Sequence, residues 1–373
     1  MPRIYLDYNA STPLAPEVVE SMRPFLSGHF GNPSSAHWAG RPAREAVEAA
    51  RGEVAALLGA QPGEIIFTGG GSEANNQAIK GIFFRASGRN PEIVTTSIEH
   101  PAVRGPCGFL ERLGAHVKIV PVDRTGKVDP DDIRRALSAD TVLISVMHAN
   151  NEVGTIEPVA AIGRLARERE IPFHTDAAQS AGKIPTLVRE LCVDMLSVAG
   201  HKLYAPKGVG ALYLREGLDL EPLVHGAGHE RGRRAGTESV LLDVALGAAC
   251  RMARLDPCAR RLRVLRDRFW DGLQETFGER VVLNGHAEDR LPNTLNVSFP
   301  GHIGQDILDR LEGVAASTGS ACHSGSPTMS PVLSAMHIEP RIGLGAVRFS
   351  VGRMTTAEQI DETVEALAAV LRA

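Results

Sequence analysis

Short apolar runs alternate with helix-like stretches through the middle of this chain, and that rhythm restricts the fold more than any other feature. Runs at residues 64–68, 92–96, 117–121, 141–147, 171–176, 193–196 and 208–214 read as strands. They are nearly continuous in apolar character, as strands covered on both faces are; a half-wet strand alternates apolar with polar. Between them, residues 73 to about 85 read as a helix. Residues 130–137 read as a shorter one, with Asp131 and Asp132 in the first turn, where the helix dipole favours them. The pattern predicts an α/β fold: a mostly parallel central sheet covered by helices.

The pattern changes after residue 214. A long helical stretch spans residues 240–277, broken near Pro257 and rich in arginine over 260–268. That basic run reads as a solvated helix face. Strand-like 294–299, a helix around 307–311, strand-like 347–351 and a closing helix over 356–371 follow. The chain has 373 residues, more than a single core usually organises. The expected division is a large domain over 15–255 and a smaller α/β domain made of 1–14 and 256–373.

Composition excludes several classes of function. Hydrophobic residues are 43%, charged residues 23%, and the formal net charge is -4, so no nucleic-acid or anionic-membrane surface is expected. No apolar stretch is long enough to span a bilayer, and residues 1–7 have no signal-peptide core. The five cysteines are scattered without a CxxC pair, which points to a reducing, cytoplasmic setting. His225 and His229 have i,i+4 spacing, but the glycines between them oppose a helix and HExxH is absent, so no metal is expected.

Lys202 follows one apolar run and Asp176 ends another. Pyridoxal 5'-phosphate (PLP) needs such a pair: an amine to hold its aldehyde as a Schiff base, and a carboxylate to keep its ring nitrogen protonated. Gly69-Gly70-Gly71-Ser72 lies between a strand and a helix, where backbone N–H groups converge on an anion; read alone, it is equally a tight turn. The pattern is neither GxGxxG nor a P-loop, which favours a single phosphate. His100 ends a further strand, where it stacks on a flat ring or is simply structural. Asn151, in His148-Ala149-Asn150-Asn151-Glu152, and Gln179, after Asp176, bring polar groups to strand C-termini, the edge where open α/β sheets bind ligands. Arg234 leads to a Gly236-Thr237 turn able to reach a phosphate across a subunit interface. Cys322 sits among small and polar residues, the surroundings of an accessible thiol and not of a packed one. Arg348, inside an apolar strand, calls for a carboxylate, from a substrate or from the chain itself.

In their order along the chain, these residues resemble the cysteine desulfurase and selenocysteine lyase family, fold-type I PLP enzymes of the aminotransferase class V group. The resemblance runs from Tyr5-Leu6-Asp7-Tyr8-Asn9-Ala10 through His174-Thr175-Asp176-Ala177-Ala178-Gln179, Gly200-His201-Lys202, Arg234-Ala235-Gly236-Thr237 and Gly319-Ser320-Ala321-Cys322 to Arg348-Phe349-Ser350-Val351-Gly352-Arg353. It implies that Lys202 is the Schiff-base lysine and Asp176 the ring-nitrogen partner. Gln179 would bond the ring hydroxyl, and His100 would stack on the ring. Gly71, Ser72 and His201 would hold the phosphate, with Thr237 arriving from the second subunit of a homodimer. Asn151 and Arg348 would bind the carboxylate of L-cysteine or L-selenocysteine. Cys322, on the small domain, would take the sulfur as a persulfide and pass it to an acceptor protein such as one of iron–sulfur assembly.

Two departures bear on this implication. Most desulfurases carry serine where this chain has Ala199, so one phosphate donor is missing. Selenocysteine lyases look similar there, and in following the cysteine with His-Ser and then Ser-Pro-Val-Leu, here Cys322-His323-Ser324 and Ser330-Pro331-Val332-Leu333. Selenium release is the alternative within the same chemistry; an aminotransferase or an inactive scaffold are the alternatives outside it. The chain ends at Ala373, without the long tail expected to engage an iron–sulfur scaffold, so no particular acceptor is implied.

Overall fold

The computed structural model describes residues 3–86, 90–319 and 328–372. In chain order the elements up to residue 255 are β1 (Ile4–Tyr5), α1 (Pro16–Ser27), α2 (Gly40–Leu58), β2 (Ile65–Thr68), α3 (Gly71–Arg85), β3 (Glu92–Thr96), α4 (Pro101–Glu111), β4 (His116–Val120), α5 (Pro130–Ala136), β5 (Thr141–Ser145), α6 (Val159–Glu168), β6 (Phe173–Asp176), α7 (Val188–Leu191), β7 (Met195–Ala199), β8 (Gly210–Leu214) and α8 (Val240–Leu255). The remainder contains α9 (Ala259–Phe277), β9 (Val282–Asn284), β10 (Thr294–Ser298), α10 (Gly304–Arg310), β11 (Val314–Ala315), α11 (Pro331–Ala335), α12 (Pro340–Gly343), β12 (Ala346–Ser350) and α13 (Ala357–Arg372).

Seven strands form the central sheet in the order β2-β8-β7-β6-β5-β3-β4. All its pairings are parallel except the two made by β8, which runs against β2 and β7. Every residue of β5, β6, β7 and β8 is buried, which accounts for the mostly apolar character of β5, β7 and β8; β6 instead buries His174, Thr175 and Asp176. The edge strand β4 is mostly exposed and carries Lys118, a charge that discourages further pairing. Local chemistry sets the helix starts. Asp129 accepts from the N–H of Asp131 to cap α5, with Pro130 next to it, and His100 does the same for α4 through Ala102.

Apolar side chains cluster in three cores. Two lie on the faces of the central sheet; one gathers α1, α2, α6 and α8, the other α3 and α4. The third joins Ile4 and Leu6 to α9, α13 and the antiparallel sheet β12-β10-β9, with Phe269 and Phe349 edge to face at 4.9 Å between ring centroids. The long helical stretch breaks at Pro257, as expected, into α8 and α9. Its basic run is not wholly solvated: Arg266 is buried and donates to the Leu291 carbonyl and to Asp267. Among the described residues no helix is long and apolar enough to cross a membrane.

Candidate active site

The C-terminal ends of five strands converge on one cavity of about 610 Å³, a volume typical of small-molecule sites. β2 and α3 bring Gly71 and Ser72 to its wall, β3 brings His100, and the turn after β5 brings Asn151. β6 ends on Asp176, with Gln179 a turn later; β7 leads through a 3-10 turn to His201 and Lys202. Arg348 reaches the same cavity from β12. Thr237 is exposed and does not line it. Cys322, His323 and Ser324 lie outside the described residues.

The start of α3 is shaped for an anion. Its N-cap is Gly70, at φ 143°, and no side chain caps the first turn, so the leading N–H groups remain free. A Cβ on Gly71 would stand 3.0 Å from that of Ala199, so the close approach of α3 to β7 leaves little room for one. Glu73 steadies the turn: it accepts from the Gly69 N–H and from Arg234 Nε, each at 2.9 Å.

Asp176 is buried and fixed by two donors, Asn75 Nδ2 at 2.7 Å and the Ala178 N–H at 2.9 Å. Behind it His174 bridges the hydroxyls of Ser145 and Ser197, and burial pushes its pKa down to about 4, so it is neutral. Lys202 Nζ donates to the backbone carbonyls of Asn9, at 2.5 Å, and Ala10, at 2.8 Å. Burial, helped by the nearby Arg348 charge and opposed by Asp7 and Asp176, pushes this amine down to about 8. The amine is thus far closer to its nucleophilic neutral form than a solvated lysine. His100 accepts from the Ala102 N–H through Nδ1, which assigns its own proton to Nε2. Surrounding protein withdraws water from this ring and keeps its pKa low, against the pull of Asp176. His201 is pushed down to about 4 by burial and by Lys202.

Gln179 donates through Nε2 to the same Asn9 carbonyl, at 2.9 Å. Its own oxygens receive Lys183 Nζ, a buried amine lowered to about 7 by desolvation. Arg348 makes the internal pair that its sequence position allowed. Nη2 meets Asp7 Oδ1 at 2.7 Å, Nη1 donates to the Asn151 carbonyl at 3.0 Å, and Nε is buried without a partner. The internal ion pair exists, and the guanidinium still opens onto the cavity.

Sequence reasoning passed over Asp7, Asn9, Asn75 and Lys207, although all but Asp7 line the cavity. Asn75 carried a readable signal, an amide among Ala74, Ala78 and Ile79 on the buried side of α3. Asn9 and Asp7 carried none locally, because β1 pairs with β11 and Asp7 with Ser350, far along the chain.

Sheet, strand-end cavity and the half-buried Lys202 beside the buried Asp176 define a fold-type I architecture, and comparison with known families agrees. An aminotransferase class-V family model matches residues 4–363, and the chain belongs to that family. It is 49% identical to cysteine desulfurase IscS of Dictyoglomus turgidum, over 99% of this chain and 94% of the relative. A solved structure described as a NifS-like protein superposes with a TM-score of 0.93 at 37% identity, covering 99% of both chains. Another, described as SspA in complex with cysteine, gives a TM-score of 0.83 at 38% identity, covering 93% of this chain and 98% of the other. The cofactor is PLP. The cavity fits it: uncapped N–H groups for a phosphate, a buried carboxylate for a ring nitrogen, and a depressed lysine amine for an aldehyde.

Proposed function

We propose that this chain is a PLP-dependent cysteine desulfurase that converts L-cysteine to L-alanine and carries the sulfur as a persulfide on Cys322. One observation carries the reading: the Lys202 amine, Asp176 and Arg348 line a single cavity at the sheet's C-terminal edge. The relatives named cysteine desulfurase, and the neighbour described with cysteine, support it.

Bound PLP supplies an electron sink for the substrate's α-carbon. Gly71, Ser72 and His201 hold its phosphate. Asp176 would keep a proton on the ring nitrogen, Gln179 would bond the ring hydroxyl, and His100 would stack on the ring. Asn151 and Arg348 orient the substrate carboxylate. Lys202 Nζ would hold the cofactor through its aldehyde carbon and, once released, would move a proton at the substrate's α-carbon. The Cys322 thiolate forms a bond to the substrate sulfur as the Cβ–S bond breaks, its electron pair staying with carbon. One proton completes the alanine methyl and one remains with the persulfide. Sulfur is oxidised to the sulfane level as carbon is reduced, so no outside oxidant enters.

The chain works as a homodimer in a reducing, cytoplasmic setting, with a large cofactor-binding domain over 15–255 and a small domain of 1–14 and 256–373. The four described cysteines are free, which suits that setting. Thr237 lies exposed outside its own chain's cavity, as suits a residue serving a second copy. The persulfide passes to an acceptor protein such as one of iron–sulfur assembly. Purified Cys322→Ala should keep the yellow absorbance of the cofactor and release no sulfide from L-cysteine. Undiminished sulfide release by that variant would contradict the assignment. L-selenocysteine measured beside L-cysteine separates the sulfur reading from the selenium one.

A further inference from the structure

Glu152 takes no part in the chemistry described above, yet it is among the more constrained carboxylates in the molecule. It follows Asn151 at the end of β5 and is 7% exposed. The backbone fixes it on both sides: its N–H donates to Asn150 Oδ1 at 2.8 Å, and its carbonyl accepts from Asn296 Nδ2 at 3.1 Å. Its carboxylate meets two residues distant in sequence from it. Ser330 Oγ donates to Glu152 Oε2, and Ser330 is itself buried and caps α11 through the N–H groups of Val332 and Leu333. On the other side stands Gly319, at φ +76°, where an added Cβ would lie 2.6 Å from the same oxygen. Only glycine allows that approach without strain.

The Glu152 contacts belong to a larger junction. Ser317 pairs with Arg348 through both backbone groups, Arg348 N–H to the Ser317 carbonyl at 2.6 Å and Ser317 N–H to the Arg348 carbonyl at 3.2 Å. Ser317 Oγ also donates to Asp7 Oδ2 at 2.9 Å. Burial raises the Glu152 pKa to about 7, while Ser330 and Arg348 pull it down. A half-charged buried carboxyl is costly unless its partners hold it, and two of its neighbours, Gly319 and Ser330, flank one segment.

We infer that Glu152 is a positioning residue: its carboxylate bonds Ser330 and packs against Gly319, on either side of the stretch that carries Cys322, and so anchors both to the turn that presents Asn151. The inference rests on the assignment of Cys322 as sulfur acceptor. Asn151 and Arg348 hold the substrate at one end of this junction; Glu152 sets where the chain on both sides of the thiol departs from it. Removing the carboxylate leaves substrate binding in place and misplaces the acceptor.

The test uses the purified holoenzyme with L-cysteine, comparing wild type with Glu152→Ala, Gly319→Ala and Cys322→Ala. The cofactor's absorbance change reports substrate binding, and the mass of the Cys322 peptide reports persulfide formed with time. In Glu152→Ala the half-saturating L-cysteine concentration should stay within about twofold of wild type while persulfide formation slows by roughly tenfold or more. Gly319→Ala, which leaves the carboxylate in place but forces its neighbour away, should show the same split, and it decides the matter alone if Glu152→Ala does not take up cofactor. Persulfide formation at the wild-type rate overturns the inference. So does a parallel loss of binding and persulfide, which would show Glu152 supporting the whole cavity. Sulfide release by Cys322→Ala at the wild-type rate would instead remove the acceptor assignment itself, whereas an inactive Cys322→Ala beside a fully active Glu152→Ala removes only the role of Glu152.

Discussion

Arg348 faces the substrate cavity while its Nη2 is bonded to Asp7 Oδ1 at 2.7 Å. Asp7 holds the guanidinium in place and leaves Nε unpartnered in the interior. In the proposed reaction the part of the guanidinium that opens onto the cavity receives the substrate carboxylate. Arg348→Ala should therefore raise the half-saturating L-cysteine concentration by roughly 10- to 100-fold, the loss of a charge-assisted hydrogen-bonded pair. Asp7→Asn, which keeps the shape and loses the charge, should raise it less. Steady-state kinetics with unchanged cofactor absorbance checks both; equal KM values across the three proteins would remove Arg348 from substrate binding.

Lys202 gives a pH dependence with a definite sign. Its amine, lowered to about 8, is mostly ammonium below that pH and cannot attack an aldehyde. The rate at which cofactor-free protein takes up PLP should climb about tenfold per pH unit below 8 and level off above it. Arg348→Ala removes a neighbouring positive charge, so the inflection should move upward. Stopped-flow absorbance from about pH 6 to about pH 10 reads both.

Asp176 depends on Asn75 for the 2.7 Å bond to Oδ2. Asn75→Ala leaves that oxygen in a buried place without its donor, at a cost of about 1–3 kcal/mol to the ionised form. The expected result is weaker PLP retention on dialysis and a kcat lower by roughly tenfold or more. Asp176→Asn should be more severe, because the ring nitrogen loses its counter-charge altogether. Wild-type kcat in Asp176→Asn would contradict the role given to that carboxylate.

The fold and much of the cavity were legible in the sequence because their signals are local. Near-continuous apolar runs mark strands buried on both faces, and the residues that follow them fall at one sheet edge by the geometry of parallel strands; hence the sequence alone brings Gly71, Ser72, Asp176 and Lys202 to one edge. The reversed β8 was missed from periodicity alone, although the short link from Gly200 to Val209 falls below the roughly dozen residues a parallel crossover needs. Asp7 and Asn9 were missed as site residues for a different reason. Their roles arise from pairings with Ser350, Arg348 and Lys202, hundreds of residues away, and no spacing rule reaches that far. Arg266 shows the limit of charge patterning: a basic helix run reads as solvated until a carbonyl such as that of Leu291 turns up to receive one member of it.

The strand that feeds the phosphate turn rests on a buried ion pair. Arg51 meets Glu230 at 2.7 Å, and Glu230 also accepts from the Phe67 N–H at 2.9 Å in β2. Glu230→Ala leaves the buried guanidinium only the half-exposed Glu48 and the Ile65 carbonyl and should lower stability by about 1–3 kcal/mol. Replacing both partners with apolar residues of similar volume should cost much less. Urea unfolding of the single and double variants decides it; a single variant as stable as wild type would show the pair to be dispensable.

The most direct measurement of the central claim is the product balance with L-cysteine as sole substrate. L-Alanine and enzyme-borne sulfur should appear in equal amounts, and in the first turnover that sulfur should be found on the peptide containing Cys322. Alanine formed without sulfur on Cys322, or a keto acid formed in place of alanine, would contradict the account.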